Sequence, residues 1–383
     1  MNYILDEKLV NEWWENYLHR LGKMDLNLLP YRPDFIVISP VKTGTTWLFQ
    51  NLLCHSEIFI PVQKEVRYFS HCWKWLDINW YLNQFMVSEQ VKKGDISPAY
   101  LILPEKVIKL ISKLMPELKI IFLMRDPVER AWSHAKYNYK YHQVNFEKVY
   151  KDFDTIPEEK WLENFDCKGS LLYNDYPGSL KRWLAFFPKN QFYLGFYDDI
   201  KNNPRKLLMD IFKFLNVTQE VDWSKFPLSK RILSGIEREI PEKFKKYLAS
   251  IYVKRLSILA ELLKNEFNMN IPYEWEYILT FPEAEERELL EQANYFDIEK
   301  PRLKKILLWW QKGANMSFCV ETGYKGFNIA IYMDKYYAFS NSLGHIYIPG
   351  IDEETLEKYE KEHKFTRGYT LEEVKEKVCT IVQ

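Results

Sequence analysis

Three clusters of polar residues carry the chemistry open to this chain of 383 residues. The first lies in F-I-V-I-S-P-V-K-T-G-T-T-W-L-F-Q-N-L-L, Phe35 to Leu53, where Lys42 supplies a full positive charge. Around Gly44, Thr43, Thr45 and Thr46 add hydroxyl donors. The second is R-D-P-V-E-R-A-W-S, in which Arg125 and Ser133 stand eight residues apart. A guanidinium fork and a hydroxyl spaced across a strand end and the first turns of a helix can share one phosphate dianion. The third is K-E-V-R-Y-F, residues 64–69, where Glu65 is a carboxylate able to take a proton.

The elements that must position these groups are legible from periodicity. Phe35 to Ser39 is mostly β-branched or aromatic and predicts a short buried strand. Pro40 to Gly44 is a tight turn, and from Thr45 the apolar Trp47, Leu48, Leu52 and Leu53 recur at helical spacing. Strand, glycine turn and helix start make an anion cradle, because unpaired N–H groups and the positive dipole end point at the turn. Lys119 to Met124 predicts a second buried strand, leading into a helix with Asp126 as N-cap, Pro127 at the first position and Glu129 as capping-box partner. Residues 58–70 predict a short strand or extended segment that brings Lys64, Glu65 and Tyr68 to the ligand edge. Gly94 to Tyr100 reads as strand then turn, Glu105 to Leu114 and Tyr176 to Phe187 as helices, and Gln191 to Tyr197 as a strand. Asn203 before Pro204 opens a helix to Leu215. The aromatic stretch Trp73 to Phe85 suits packed surface structure or a lid. Alternating strands and helices imply an α/β fold, a doubly wound parallel sheet with ligands at the carboxyl edge of its strands.

Composition bounds the function classes. Basic and acidic residues balance at 53 each, which excludes the one-sided field of a nucleic-acid-binding domain. Cys54, Cys72, Cys167, Cys319 and Cys379 are odd in number and scattered, which favours reduced thiols over a disulfide frame or zinc site. The chain shows no signal-peptide pattern at its start and no apolar run near the ~18–20 residues of a membrane span, so the expected location is cytoplasmic. From about Trp275 the character changes. Glu283 to Gln292 and Pro301 to Gln311 read as charged helices, Gly323 to Ile348 alternates with period two, and Glu353 to His363 and Leu371 to Val378 read as helices. Residues 283–383 are therefore expected to form a small C-terminal α+β appendage to a domain spanning 1–282.

P-V-K-T-G-T-T-W departs from the nucleoside-triphosphate loop, lacking its first glycine and carrying its lysine two residues before the remaining one. It resembles the 5′-phosphosulfate loop, P-K-S/T-G-T-T-x-L/W, of sulfotransferases that use 3′-phosphoadenosine 5′-phosphosulfate (PAPS), with Val41 inserted. R-D-P-V-E-R-A-W-S resembles those enzymes' 3′-phosphate element, R-[D/N]-P-x-x-R-x-x-S. The resemblance covers about residues 33–270. It implies a P-loop-like PAPS site of Lys42, Thr43, Gly44, Thr45, Thr46, Trp47, Arg125 and Ser133. A cofactor-covering loop would fall at Pro227 to Gly235, with Lys230 and Arg231 placed to meet the 3′-phosphate. K-E-V-R-Y-F resembles K-E-x-x-x-F of the heparan-type carbohydrate sulfotransferases, whose glutamate is the base, which implies Glu65; His71 and His134 are the runners-up. G-D-I-S-P-A-Y is similar to the heparan-type G-E-K-[S/T]-P-x-Y, but Ile96 replaces its lysine. The expected activity is sulfuryl transfer from PAPS to a hydroxyl or amine of a carbohydrate or small metabolite. Lys42 and Glu65 would be catalytic, with no metal, no nucleic-acid partner and no membrane span; the oligomeric state is not readable. Two other readings stay open: a nucleoside or sugar kinase with a variant phosphate loop, and a nucleotide-binding partner protein without chemistry.

Overall fold

The computed structural model describes residues 25–61, 64–70, 72–74, 77–87, 90–141, 153–229, 238–284, 318–332, 335–343 and 353–382. At its centre is a parallel five-stranded sheet in the order β2-β3-β1-β4-β5. The strands are β1 (Phe35–Val37), β2 (Ile58–Phe59), β3 (Lys92–Ile96), β4 (Lys119–Met124) and β5 (Phe192–Phe196). β1 sits in the middle, with Phe35 in register with Gly94 of β3 on one side and Lys119 of β4 on the other.

Alternation along the central strands divides the core into two layers. Phe35, Val37, Ile121 and Leu123 face a cluster that includes Leu48 and Leu52 of helix Thr45–Leu52 and Leu207, Leu208 and Ile211 of helix Pro204–Leu215. Ile36, Ile38, Ile120, Phe122 and Met124 face the other way, onto Val128, Leu180, Trp183 and Leu256. Successive strand side chains point to opposite faces, so continuous apolar runs fit a sheet covered on both sides. Each buried Ile, Leu or Phe contributes about 1.5–3 kcal/mol relative to exposure, which is why the shortest strands hold their places.

The expected helices form: Glu105–Leu114 and Pro204–Leu215 with the expected bounds, Pro127–Tyr141 from the expected proline, and Tyr176–Leu184 ending short of Phe187. Asp126 caps its helix as expected, its Oδ1 accepting from the N–H groups of Val128 (2.8 Å) and Glu129 (3.1 Å). Asn203 occupies the N-cap position, but its side chain makes no capping bond. Among its described residues, the segment 58–70 is strand only at Ile58–Phe59. Among those that follow, Glu65 and Arg67 have left-handed backbones, φ 67° and 55°, incompatible with a continued ladder. In the aromatic stretch, Ile78–Asn83 is a helix with Tyr81 and Leu82 buried, and Phe85 beyond it is buried too, so these side chains belong to the core.

In the C-terminal region an antiparallel sheet runs β6-β7-β8-β9: β6 (Phe318–Tyr324), β7 (Phe327–Tyr332), β8 (Lys335–Ser340) and β9 (Phe365–Gly368). Helices Glu353–Lys361 and Leu371–Val382 complete it. Ile329, Ala338, Val374 and Val378 form one small core, and Tyr337, Phe339, Leu356 and Phe365 another. The two helices expected within 283–311 lie almost wholly outside the described residues.

Candidate functional site

The loop after β1 is built by its own backbone. Ser39 Oγ accepts from the Leu123 N–H at 2.7 Å, tying the strand end to β4, and Thr43 Oγ1 donates to the Pro40 carbonyl at 2.7 Å to close the turn. Lys42 (φ 72°) and Gly44 (φ 87°) both take left-handed conformations. At Gly44 a side chain is excluded twice. The backbone region favours glycine, and a Cβ would collide with Ile200 and stand 3.2 Å from the Tyr197 ring. Gly44 is also the N-cap of helix Thr45–Leu52, and no side chain caps its first turn, so the N–H groups face the turn. Thr43 and Thr45 are buried, and Thr46 is half-buried. The Trp47 indole N–H donates to the Leu228 carbonyl at 3.0 Å, fastening the helix to the segment that leads toward residue 230.

Lys42 is the electrostatic centre. Its Nζ lies 4.4 Å from the centroid of the Tyr137 ring. Burial, then the charges of Arg125, Lys136 and Lys64, brings its ammonium down to about 8 from an ordinary value of 10.5. A lysine perturbed in this way beside further cations marks a candidate anion-binding site.

Arg125 joins the two phosphate elements. It follows β4 directly, its side chain is 15% exposed, and its Nη1 donates to the Lys42 carbonyl at 3.2 Å. Nη2 reaches Glu129 at 3.4 Å, so Glu129 faces this guanidinium. The guanidinium also stacks on Tyr197, 4.6 Å from the ring centroid, and the Tyr176 hydroxyl donates to the Arg125 carbonyl at 2.8 Å. Ser133 is half-buried on the same helix, where Lys136 and Tyr137 follow at three and four residues and so share its face. Sequence reasoning missed Tyr137, Lys136 and Tyr197. The i+3, i+4 spacing from Ser133 would have found the first two, and the position immediately after β5, at the ligand edge, the third.

Glu65 lies in a trio of charges. Lys64 Nζ donates to its Oε1 at 2.6 Å, and Arg67 donates to its Oε2 through Nε at 2.8 Å and through Nη2. Burial acts to raise the Glu65 carboxyl, but the charges and hydrogen bonds of Arg67 and Lys64 outweigh it and hold the group at about 2. Because Lys64 is also among the charges acting on Lys42, the carboxylate and the anion cradle belong to one site. Ile96, where the heparan-type pattern carries lysine, is 1% exposed and packs in the apolar layer. His134 meets the Tyr173 ring edge-on at 6.2 Å. His71, Lys230 and Arg231 lie outside the described residues.

Residues 32–246, more than half of the chain, match the family model described as the sulfotransferase domain. The bifunctional heparan sulfate N-deacetylase/N-sulfotransferase 4 of Mus musculus is 28% identical over 205 residues, half of this chain and 23% of that protein. The mouse heparan sulfate glucosamine 3-O-sulfotransferase 5 is 28% identical over 204 residues, 51% of this chain and 56% of that one. This chain thus spans about a quarter of the first relative's length and about half of the second's. Among solved structures, a sulfotransferase from Alicyclobacillus acidocaldarius is similar at 20% identity and a TM-score of 0.48, over 62% of this chain and 98% of that one.

Proposed function

Since this chain belongs to the sulfotransferase domain family, we propose that it transfers the sulfuryl group of PAPS to a hydroxyl or amine of a carbohydrate or small metabolite. The observation that carries this reading is the bond from Arg125 to the Lys42 carbonyl. It sets two anion sites side by side on adjacent strand ends, the arrangement a nucleotide with both 3′- and 5′-phosphates requires. Lys42 and the amides beginning helix Thr45–Leu52 stabilise the charge that grows on the bridging oxygen as the bond between sulfur and phosphate oxygen breaks. Arg125 and Ser133 take the 3′-phosphate. The acceptor attacks sulfur in line, and its proton passes to Glu65.

A carboxyl held at about 2 is a weak base, since efficient proton transfer wants a pKa nearer the working pH. Lys64 resolves this in the proposed cycle. Drawn toward the anionic phosphosulfate, it leaves Glu65 with one cation instead of two, and the carboxylate becomes more basic. The two heparan sulfate relatives favour a carbohydrate acceptor, whereas Ile96 argues against the same acceptor contacts. The division into an enzyme domain to residue 282 and an accessory module beyond it belongs to the same proposal. So does a cytoplasmic location, supported by Cys54, Cys72, Cys167 and Cys379, none of which is in a disulfide.

Thermal stabilisation by 3′-phosphoadenosine 5′-phosphate (PAP), ATP and ADP separates this reading from a kinase, because a ligand that binds only the native state raises Tm. PAP is expected to stabilise most. Stabilisation by ATP with magnesium and not by PAP overturns the proposal. Labelled PAPS with a panel of acceptors then identifies the substrate.

A further inference from the structure

Beneath the loop that carries Glu65 lies a carboxylate for which the transfer chemistry has no direct use. Asp95, on β3, is fully buried. Its Oδ1 accepts from the Ser97 hydroxyl at 2.7 Å and its Oδ2 from the Tyr81 hydroxyl at 3.2 Å; the Tyr100 hydroxyl bonds to it as well. Two of these hydroxyls reach onward to the loop. Ser97 Oγ accepts from the backbone N–H of Arg67 at 3.1 Å, and Tyr100 Oη accepts from that of Phe69 at 3.4 Å. The Arg67 carbonyl is held in turn by the Cys72 N–H (3.1 Å) and the Ser70 hydroxyl (3.3 Å). Arg67 is left-handed and its guanidinium grips Glu65, so what fixes its backbone also aims the carboxylate.

Burying a carboxylate among neutral hydroxyls is costly. Burial pushes Asp95 up to about 6, against hydrogen bonds from Ser97, Tyr100 and Tyr81 that lower it, while the Glu65 charge adds to the rise. Packing alone gives no reason for an ionisable group here. Two oxygens that accept several hydroxyls at once do give one, because the Ser97 and Tyr100 hydroxyls are thereby oriented with a remaining lone pair toward a loop amide.

We propose that Asp95 is a positioning residue for sulfuryl transfer, acting through Ser97 and Tyr100 on the backbone of Arg67 and Phe69 and so on the placement of Glu65. This rests on the reading of Glu65 as the base, and the experiment separates the two. Asp95→Asn keeps the shape and removes one acceptor oxygen, and Ser97→Ala cuts the relay to Arg67 alone. Each is expected to lower kcat by about 10- to 100-fold, the scale of a small misplacement of a reacting group, with PAP affinity unchanged. Adding Asp95→Asn to Glu65→Gln is expected to cost nothing further, since residues acting through one another are not additive. Turnover at the wild-type level in Glu65→Gln overturns the base reading and the positioning role with it. Loss in Glu65→Gln with wild-type kcat in both Asp95→Asn and Ser97→Ala overturns only the positioning role, as does an additive loss in the double variant. If Asp95→Asn fails to fold, Ser97→Ala and Tyr100→Phe decide by the same kcat and PAP measurements.

Discussion

Two loops at the same sheet edge solve the same problem by different means. The loop Pro40–Gly44 and the loop Lys64–Ser70 each contain two left-handed residues, Lys42 and Gly44 in one and Glu65 and Arg67 in the other. In the first, a glycine takes one of the two left-handed positions and Lys42 the other, the Thr43 hydroxyl closes the turn and the helix supplies open amides. Its shape is written into the backbone. In the second, no glycine is present, and two side chains with positive φ are held by an ion trio above and a hydroxyl network below. Left-handed non-glycine residues cost of order 1–3 kcal/mol each and persist only where surrounding contacts fix them. The first loop thus has the rigidity that suits an invariant ligand, the nucleotide of the proposed reaction. The second depends on charges that substrate can compete for, which suits the side of the site where an acceptor enters and leaves.

The sharpest way to break this comparison is Lys42→Ala, which removes the preorganised charge and leaves the loop backbone in place. Transfer is expected to fall by about 10²–10³ or more, with Tm little changed because a partly exposed loop lysine carries little stability. Wild-type turnover would remove the proposed role. Next in size is Arg125→Ala. Charged hydrogen bonds contribute about 1.5–3 kcal/mol, so PAP binding should weaken by roughly 10- to 100-fold, measured by calorimetry. Adenosine 5′-phosphosulfate, which lacks the 3′-phosphate, should weaken far less, and equal weakening of both contradicts the assignment.

A pH series sharpens the contrast further. Lys42 has its folded pKa lowered to about 8, so kcat/KM for PAPS should decline as pH rises through 8 and the ammonium is lost. Stability should move oppositely. Between about 8 and 10.5 the unfolded chain binds a proton at this lysine that the folded one has released, so this group's contribution rises with pH. Glu65, at about 2, contributes stability that is present above its ordinary range and is lost only as pH falls toward 2. An acid limb of activity near pH 4–5 that disappears in Glu65→Gln would show that the carboxylate works free of its cations. The smallest expected effect is that of ending the chain near Pro282. Every matched motif precedes residue 240, so PAP affinity should stay near native; a soluble, folded truncation that fails to bind PAP would place the tail in the nucleotide site.

The first loop was legible in the sequence because its determinants are local. Phe35–Val37, Gly44 and the spacing of Trp47, Leu48 and Leu52 announce strand, turn and helix, and Asp126-Pro127 announces its cap. Around the second, Lys64 and Glu65 stand out in the sequence, but the conformation expected there was a short strand or extended segment. Nothing local marks Glu65 and Arg67 as left-handed, because what holds them comes from Ser97 and Tyr100, some thirty residues away. Tyr197 escaped notice for a similar reason. It meets Arg125 and Gly44 only once β5 lies beside β4. β7 and β8 were visible as alternation within Gly323 to Ile348, whereas most of β6 and all of β9 lie outside that stretch, and the pairing of β9 with β8 spans a helix and could not be read from period alone.

The central place of β1 also bears on how the protein comes into being. Its three residues pair with no strand nearer in sequence than β3, and the turn after them is pinned through Ser39 to Leu123, 84 residues on. Contacts of such long separation are slow to close, because the intervening chain must give up its freedom first. During synthesis β1 and the turn after it therefore lack their full set of partners until β4 has emerged. The turn Pro40–Gly44 is thus made well before the strand that ties it down.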